Sequence, residues 1–439
     1  MTLVERDTYL RTLDSYLDEA AAGHGRLVFV SGEAGIGKSS LVHAFASGVA
    51  GRVVPSVAYC DGSATPSPLA PLEELLPTLP PGLWPADATR QQIFANLLTA
   101  LREAPHRQPR LIVVEDVHWA DEATLDLLLH LARRIHTCRA LLVVTYRREE
   151  LDAAPGLREL LGRSASATGT RRIDVAPLSL AAVATMVEDQ TRSGTSGQSL
   201  DAAHLYAITR GNAFFVTEVL SSGLENVPEL VRDAILARVA GLSLATQRAL
   251  EVVALAGARA EADLLEELIA GGLHPLGEAL GRGLLVEVDE FITFRHELAR
   301  LAVMEQVPIG RRTDLHRRLL RALTARGADA ARLAHHADAA GLSRSAVDHA
   351  TVAGRHASEL GAHREAASQF ERALSHGARL PGGGLPDHQV AELQWSLGYE
   401  LYIIGRIEGA IAAVESARDI WERRGAVTRV GDAWRCLSR

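Results

Sequence analysis

The stretch Arg26-Leu-Val-Phe-Val-Ser31-Gly32-Glu33-Ala34-Gly35-Ile36-Gly37-Lys38-Ser39-Ser40 decides the fold. Arg26 to Ser31 is a short apolar run of the kind that makes a buried strand, and residues 40–50 continue with helical spacing. Between them, Gly32 to Ser39 fits G-x-x-x-x-G-K-[ST], a loop whose main-chain amides cradle phosphates. The N–H groups of residues 35–40 are expected to face a β-phosphate, aided by the positive end of the following helix. Lys38 is expected to bridge β- and γ-phosphates, and the Ser39 hydroxyl to ligate magnesium. The candidate binding residues are therefore Gly32, Glu33, Ala34, Gly35, Ile36, Gly37, Lys38, Ser39 and Ser40, for ATP or ADP with Mg2+. The bland alternative, an ordinary glycine turn, has to explain the strand before, the helix after and the lysine within.

That lysine is informative in itself. Of the 46 basic residues, 45 are arginine, and Lys38 is the single exception. A compact ammonium fits between phosphate oxygens where a planar guanidinium does not.

Working outward, residues 5–22 read as an amphipathic helix and 52–60 as a second strand. Residues 61–86 hold seven prolines and read as a loop with short helical pieces, and 88–104 read as a helix. Leu111-Ile-Val-Val114 is a further buried strand ending in Glu115-Asp116, followed by a helix over 122–135. Acids at the C-terminal end of a strand stand where such sheets bind ligands. One of the two is expected to hold magnesium, the other to orient or deprotonate the attacking water; taken alone, the pair is also what a strand meeting solvent looks like. Ala140 to Thr145 is a strand ending in Thr145-Tyr146-Arg147, which places either Thr145 or Arg147 near a γ-phosphate, or leaves a solvated arginine after an edge strand. Arg172 to Val175 completes the set. Strands alternating with helices give an α/β parallel sheet.

Beyond Pro177 the pattern is nearly all helical. Leu284–Val288 and Phe291–Phe294 flank Asp289-Glu290, a hairpin signal, and helices followed by one hairpin suggest a winged-helix module. Residues 227–326 hold 13 arginines against 14 acids, which favours a module that packs on the core over a DNA reader. From about residue 328 the chain is alanine-rich, and a repeat emerges: the segment from Gly361 matches the segment from Gly405 at an offset of 44, with Ala366/Ala410 and Ala373/Ala417 as small matched positions. This resembles tetratricopeptide repeats, with the glycine-rich loop 381–386 as an insertion. The sequence stops at Arg439 inside an apparent further helix, leaving Trp434 and Leu437 partly uncovered, as expected of a truncated chain or gene fragment.

Composition excludes several classes. At 439 residues the chain needs about three domains. A net charge of −8 argues against sequence-independent nucleic-acid binding. Cys60, Cys138 and Cys436 are far apart and lack metal spacing, as expected of small buried residues in a reducing cytoplasm. Residues 1–9 carry acids and no apolar run, so they do not read as a signal peptide, and no uninterrupted apolar stretch is long enough to suggest a membrane span.

With these motifs in hand, the chain resembles the ATPase portion of large LuxR-type transcriptional activators, the MalT-like branch of the STAND signalling ATPases. Beyond the phosphate loop the resemblance rests on Glu115-Asp-Val-His-Trp-Ala-Asp121, similar to an extended Walker B segment, and on Thr145-Tyr-Arg147, Arg210-Gly-Asn-Ala-Phe-Phe215 and Phe294-Arg-His296-Glu-Leu-Ala-Arg300. It implies an ASCE/AAA-like P-loop NTPase core over 1–177, a helical lid over 178–226, a winged-helix module over 227–327 and a TPR-like helical solenoid over 328–439. It implies catalytic roles for Asp116, Glu115 and Arg147, the last as a γ-phosphate sensor, and metal binding by Ser39 with Asp116 or Glu115; Asp116 is favoured as the essential acid. Gly211 and Asn212 are expected near the nucleotide, and His296 near the β-phosphate of ADP. The family usually has Gly-Asn-Pro-Phe-Phe where Ala213 stands here, and Gly-Arg-Glu where Glu5-Arg6-Asp7 stands. Both departures bear on the base pocket.

The expected function is a switch with slow ATP hydrolysis. An inducer, a small molecule or a protein, acts on the repeats; ATP-bound protomers self-associate; DNA is met only through a C-terminal domain that does not occur before Arg439. Two other classes stay open: a repeat scaffold clamped by nucleotide, and an AAA-type ring remodeller using an arginine finger such as Arg133 or Arg134.

Overall fold

In the computed structural model, which describes residues 3–438 apart from 61, 63–65, 86–87, 105–107, 193–200 and 223–230, the phosphate-loop strand β1 (Arg26–Gly32) lies inside a five-stranded sheet. The others are β2 (Pro55–Tyr59), β3 (Arg110–Glu115), β4 (Ala140–Arg147) and β5 (Thr170–Asp174), in the order β2-β3-β4-β1-β5, with neighbouring strands parallel throughout. β1, β3 and β4 are buried on both faces, which is why they read as unbroken apolar runs. Leu13 and Leu17 of helix Asp7–Ala21, and Leu41, Val42 and Phe45 of helix Lys38–Gly48, pack on one face with Val28, Val30, Leu111, Val113, Leu141 and Val143. The fold is thus a parallel-sheet P-loop NTPase core with a C-terminal helical region.

By internal packing the chain divides into two compact units. The first comprises Met1–Asp61, Pro71–Ala120 and Leu125–Val307. Besides the sheet it contains helices Leu180–Arg192, Ala202–Thr209 and Ala213–Ser222, which share a core of Val183, Leu205, Val216 and Leu220. It also contains a second, three-stranded antiparallel sheet of order β6-β8-β7: β6 (Ala260–Glu261), β7 (Leu285–Val288) and β8 (Phe291–Phe294). β7 and β8 form the expected hairpin, with Val288 opposite Phe291 and Asp289 in the left-handed region at φ 54°. β6 is two residues long and carries no sequence signal. The expected boundary at 226/227 lies outside the described residues.

The second unit comprises Gly62–Ala70, Asp121–Thr124 and Pro308–Arg439. It starts earlier than residue 328 because helix Ile309–Ala325, with Leu315, Leu319, Leu320 and Leu323 buried, packs against helix Ala330–Ala339. Helices Ser343–Glu359 and His363–Ala378 form one antiparallel pair, and Asp387–Ile403 and Ile407–Arg423 the next. The 44-residue offset has a packing basis. A Cβ on Gly354 would lie 2.7 Å from the Phe370 ring, and one on Gly398 2.6 Å from Val414, so paired helices approach at matched glycines as well as at Ala366, Ala373, Ala410 and Ala417. Loop 379–386 separates the repeats, and its Leu385 packs on Gly377.

Within this unit, Leu69 N–H and Thr124 N–H donate to the Asp121 carboxylate. Glu365 Oε1 accepts the Glu122 N–H at 3.3 Å, while Arg364 N–H donates to Glu122 Oε2 at 3.2 Å. Glu365 Oε2 is buried with no hydrogen-bond partner. Burial first, then the charge of Asp121, pushes the Glu365 carboxyl up to about 7. The folded state therefore favours the protonated acid. The penalty is absent below about pH 4.5, grows as pH rises and is complete above about 7. Glu365→Gln keeps the accepting oxygen and is expected to stabilise the protein by on the order of 1–3 kcal/mol near pH 8, with little gain near pH 4.5. Thermal melts at both pH values check this; an equal shift at each would contradict it.

Candidate nucleotide site

The loop after β1 turns through three glycines in the left-handed half of backbone space, Gly32 (φ 155°), Gly35 (φ 76°) and Gly37 (φ 100°), conformations that side-chain-bearing residues adopt only under strain. The loop runs through Gly37 straight into helix Lys38–Gly48, which begins at the lysine. Lys38 is only 7% exposed, and its Nζ donates to Gly32 O and Glu33 O, each at 2.9 Å. Burial lowers its pKa, an effect opposed first by the negative charge of Asp116. The Ala34 N–H donates to Glu149 Oε1 at 2.7 Å, so a carboxylate oxygen already meets one loop amide.

The parallel register sets what stands beside the loop. Gly32 pairs with Arg147, and Val114 with Val144, so the ends of β1, β3 and β4 converge at the C-terminal edge of the sheet. Glu115, the last residue of β3, is 1% exposed, and neither carboxylate oxygen accepts a hydrogen bond. His43 Nε2, one turn into the loop helix, lies 2.6 Å from Glu115 Oε1 as a charge contact, and this carboxylate raises the His43 pKa. Asp116 sits just past the strand in the left-handed region at φ 56°, its N–H donating to Thr145 Oγ1 at 2.9 Å. Its Oδ1 is 4.0 Å from Arg147 Nε. Arg147 is buried and lies over the Trp119 ring at 4.8 Å, a cation–π stack that fixes its direction. His118 is buried with neither ring nitrogen hydrogen-bonded; burial, then the charges of Arg147 and Lys38, lowers its pKa to about 3 and keeps it neutral.

A third wall comes from far along the chain. Asn212 Nδ2 donates to Ala34 O, and Phe214 N–H donates to Gly35 O, both at 2.9 Å. A Cβ on Gly35 would lie 2.8 Å from Phe214 Cβ and 2.9 Å from Asn212 Oδ1, so the loop and this helix start fit against each other without slack. Gly211 (φ 74°) reaches this position by passing the Leu178 carbonyl, 2.1 Å from where its Cβ would be. The His296 ring packs on Phe214 at a tilt of 51° with centroids 4.1 Å apart; burial above all, then Arg295 and Arg238, lowers its pKa to about 3. Arg6, 4% exposed, donates to Ile36 O at 3.2 Å and to Ala176 O at 3.0 Å.

Gly32 to Ser40 thus stand together as one loop and helix start, with Glu115, Asp116 and Arg147 on the neighbouring strand ends. His43 and Glu149 were not foreseen; a histidine inside a helix and an acid in a charged run carry no distinguishing pattern. Arg133 and Arg134 are exposed beyond helix Glu122–Ala132.

The residues present fit a magnesium nucleotide. The donors are hard oxygens, the Ser39 hydroxyl and two carboxylates, which suit Mg2+ rather than a soft metal. Glu115 Oε2, buried beyond the His43 contact at Oε1, calls for a water or a water-bound ion. Lys38 would exchange two carbonyl contacts for phosphate oxygens.

Comparison with known proteins agrees in outline. Residues 2–144 match the AAA ATPase domain family, so the N-terminal part is an AAA-type P-loop domain. An uncharacterized protein of Rhizobium meliloti (strain 1021) is 28% identical over 85% of this chain, which spans 42% of that protein. Among solved structures, the Signal Transduction ATPase with Numerous Domains (STAND) protein with a tetratricopeptide repeat sensor from Pyrococcus horikoshii superposes over 94% of this chain and 64% of its own, with a TM-score of 0.55 and 16% identity. The likeness is one of fold. The chain spans less than two thirds of either protein. No helix among the described residues is long and apolar enough to cross a membrane.

Proposed function

We propose that this chain is the ATP/ADP-binding switch of a STAND-type, LuxR-family transcriptional regulator, with slow ATPase activity serving as reset. One observation carries the reading. The phosphate loop is bonded through Ala34 O and Gly35 O to Asn212 and Phe214, and Phe214 packs against the His296 ring. A change at the loop is thereby felt by the helical lid and, one ring further, by the module containing β7 and β8, read here as a winged helix.

When bound, ATP with Mg2+ supplies the γ-phosphate that distinguishes the two states and the bond that hydrolysis breaks. Lys38 would hold phosphate oxygens and Ser39 the metal. Asp116 and Glu115 would help hold the metal and orient water, with Asp116 the essential acid. Arg147, steered by Trp119, answers to the γ-phosphate. An inducer on the TPR-like repeats and ATP together favour an open form that self-associates, and DNA is reached through a domain outside this chain. Moving such a switch from almost wholly closed to almost wholly open takes about 5.5 kcal/mol of differential binding.

The test is light scattering and hydrogen exchange on the chain loaded with ADP or with a non-hydrolysable ATP analogue. The ATP form is expected to lose protection at residues 34–37 and 212–216 and to gain mass. Two saturated forms with identical exchange and mass would leave a nucleotide-clamped scaffold as the better reading.

A further inference from the structure

Outside the nucleotide site, one cluster in the second unit has the composition of a metal centre. His316 projects from helix Ile309–Ala325, and His335 and His336 from helix Ala330–Ala339. Their candidate ligand nitrogens all lie within 4.8 Å of one another. His316 Nδ1 and His336 Nδ1 are 2.9 Å apart, and the ring centroids are 5.1 to 5.7 Å apart. His316 and His336 are buried at 4% and 2% exposure, and His335 is half-buried.

Adjacent residues on a helix point about 100° apart. Convergence of His335 and His336 on one point therefore requires both rings to bend toward the facing helix, where His316 stands. Between two Nδ1 atoms at 2.9 Å there is room for one proton, so one ring donates and the other accepts. We propose that His316, His335 and His336 form a three-histidine site for a borderline divalent metal, with zinc its natural occupant, tying helix Ile309–Ala325 to helix Ala330–Ala339.

Three imidazoles at about 2.0–2.1 Å from a tetrahedral ion stand about 3.3 Å from one another. The close pair has to open by a few tenths of an ångström and the wider pairs to close, movements that side-chain torsions supply. A pure nitrogen set selects Zn2+, Cu2+ or Ni2+ over Mg2+ and Ca2+, which take oxygen. Burial keeps His316 and His336 neutral, as ligands must be, lowering them to about 4 and about 2. The charges of Arg312 and Arg332 also reach these rings and oppose a dication, which limits affinity. Three protein ligands leave the fourth position to water.

The full chain, stripped with chelator and free of nucleotide, is titrated with ZnCl2, then with CoCl2, and compared with His335→Gln and with the double variant His316→Gln/His336→Gln. The wild type is expected to bind one more zinc per chain than either variant, to gain thermal stability on binding, and to give the visible absorption of four-coordinate cobalt. Loss of outer-shell partners alone weakens metal sites by about 10–100-fold, so loss of a direct ligand is expected to cost more than about a hundredfold. The half-buried His335→Gln keeps the test valid if the double variant fails to fold. Equal zinc uptake by the wild type and His335→Gln, or cobalt bound without the tetrahedral spectrum, would overturn the proposal.

Discussion

Lys38→Ala is expected to abolish the thermal stabilisation that ATP or ADP confers. With ligand at a hundred times its dissociation constant, the wild type should gain about 2.7 kcal/mol and the variant essentially nothing. The side chain is the only ammonium in the chain apart from the N-terminus, and it is held within the loop by Gly32 O and Glu33 O. Its removal also deletes two hydrogen bonds to Gly32 O and Glu33 O, each worth about 0.5–1.5 kcal/mol net, so the ligand-free protein melts somewhat earlier. The readout is therefore the difference between loaded and unloaded melts for each protein, measured by scanning calorimetry. A ligand-induced shift equal to that of the wild type would remove Lys38 from the site and the nucleotide reading with it.

Asp116→Asn should do the opposite, keeping nucleotide while losing turnover. The backbone at this position is left-handed, a conformation asparagine tolerates, so the exchange removes charge without disturbing the bond from its N–H to Thr145. Loss of a group that holds the metal or positions water typically lowers the rate by on the order of 10²–10⁴. Phosphate release under single-turnover conditions measures the effect, and Glu115→Gln run in parallel separates the two acids. The structure gives each a distinct environment. Glu115 is enclosed and faces His43, whereas Asp116 is the acid whose charge most supports the Lys38 ammonium. Undiminished turnover in Asp116→Asn, with loss in Glu115→Gln, would exchange their roles.

Much of this was legible before any coordinates. The loop motif, the apolar runs of β1, β3 and β4, the Asp289-Glu290 hairpin and the 44-residue repeat are local patterns, and local patterns are what a sequence displays. The pairings that make the site are not local. Asn212 meets Ala34 across 178 positions, Glu149 meets the same residue across 115, and His43 faces Glu115 from another element altogether. Matched glycines 354 and 398 were likewise hidden, because their importance lies in Phe370 and Val414 on the facing helix.

By itself the sequence determined a phosphate-binding loop, the strands that carry its partners and a repeating helical array, since each follows from backbone conformation and side-chain periodicity within a few residues. Only the tertiary structure decided which distant groups close on that loop and how three histidines converge between two helices. Those arrangements depend on strand order and helix packing, which bring together residues whose separation along the chain carries no record of their distance in space.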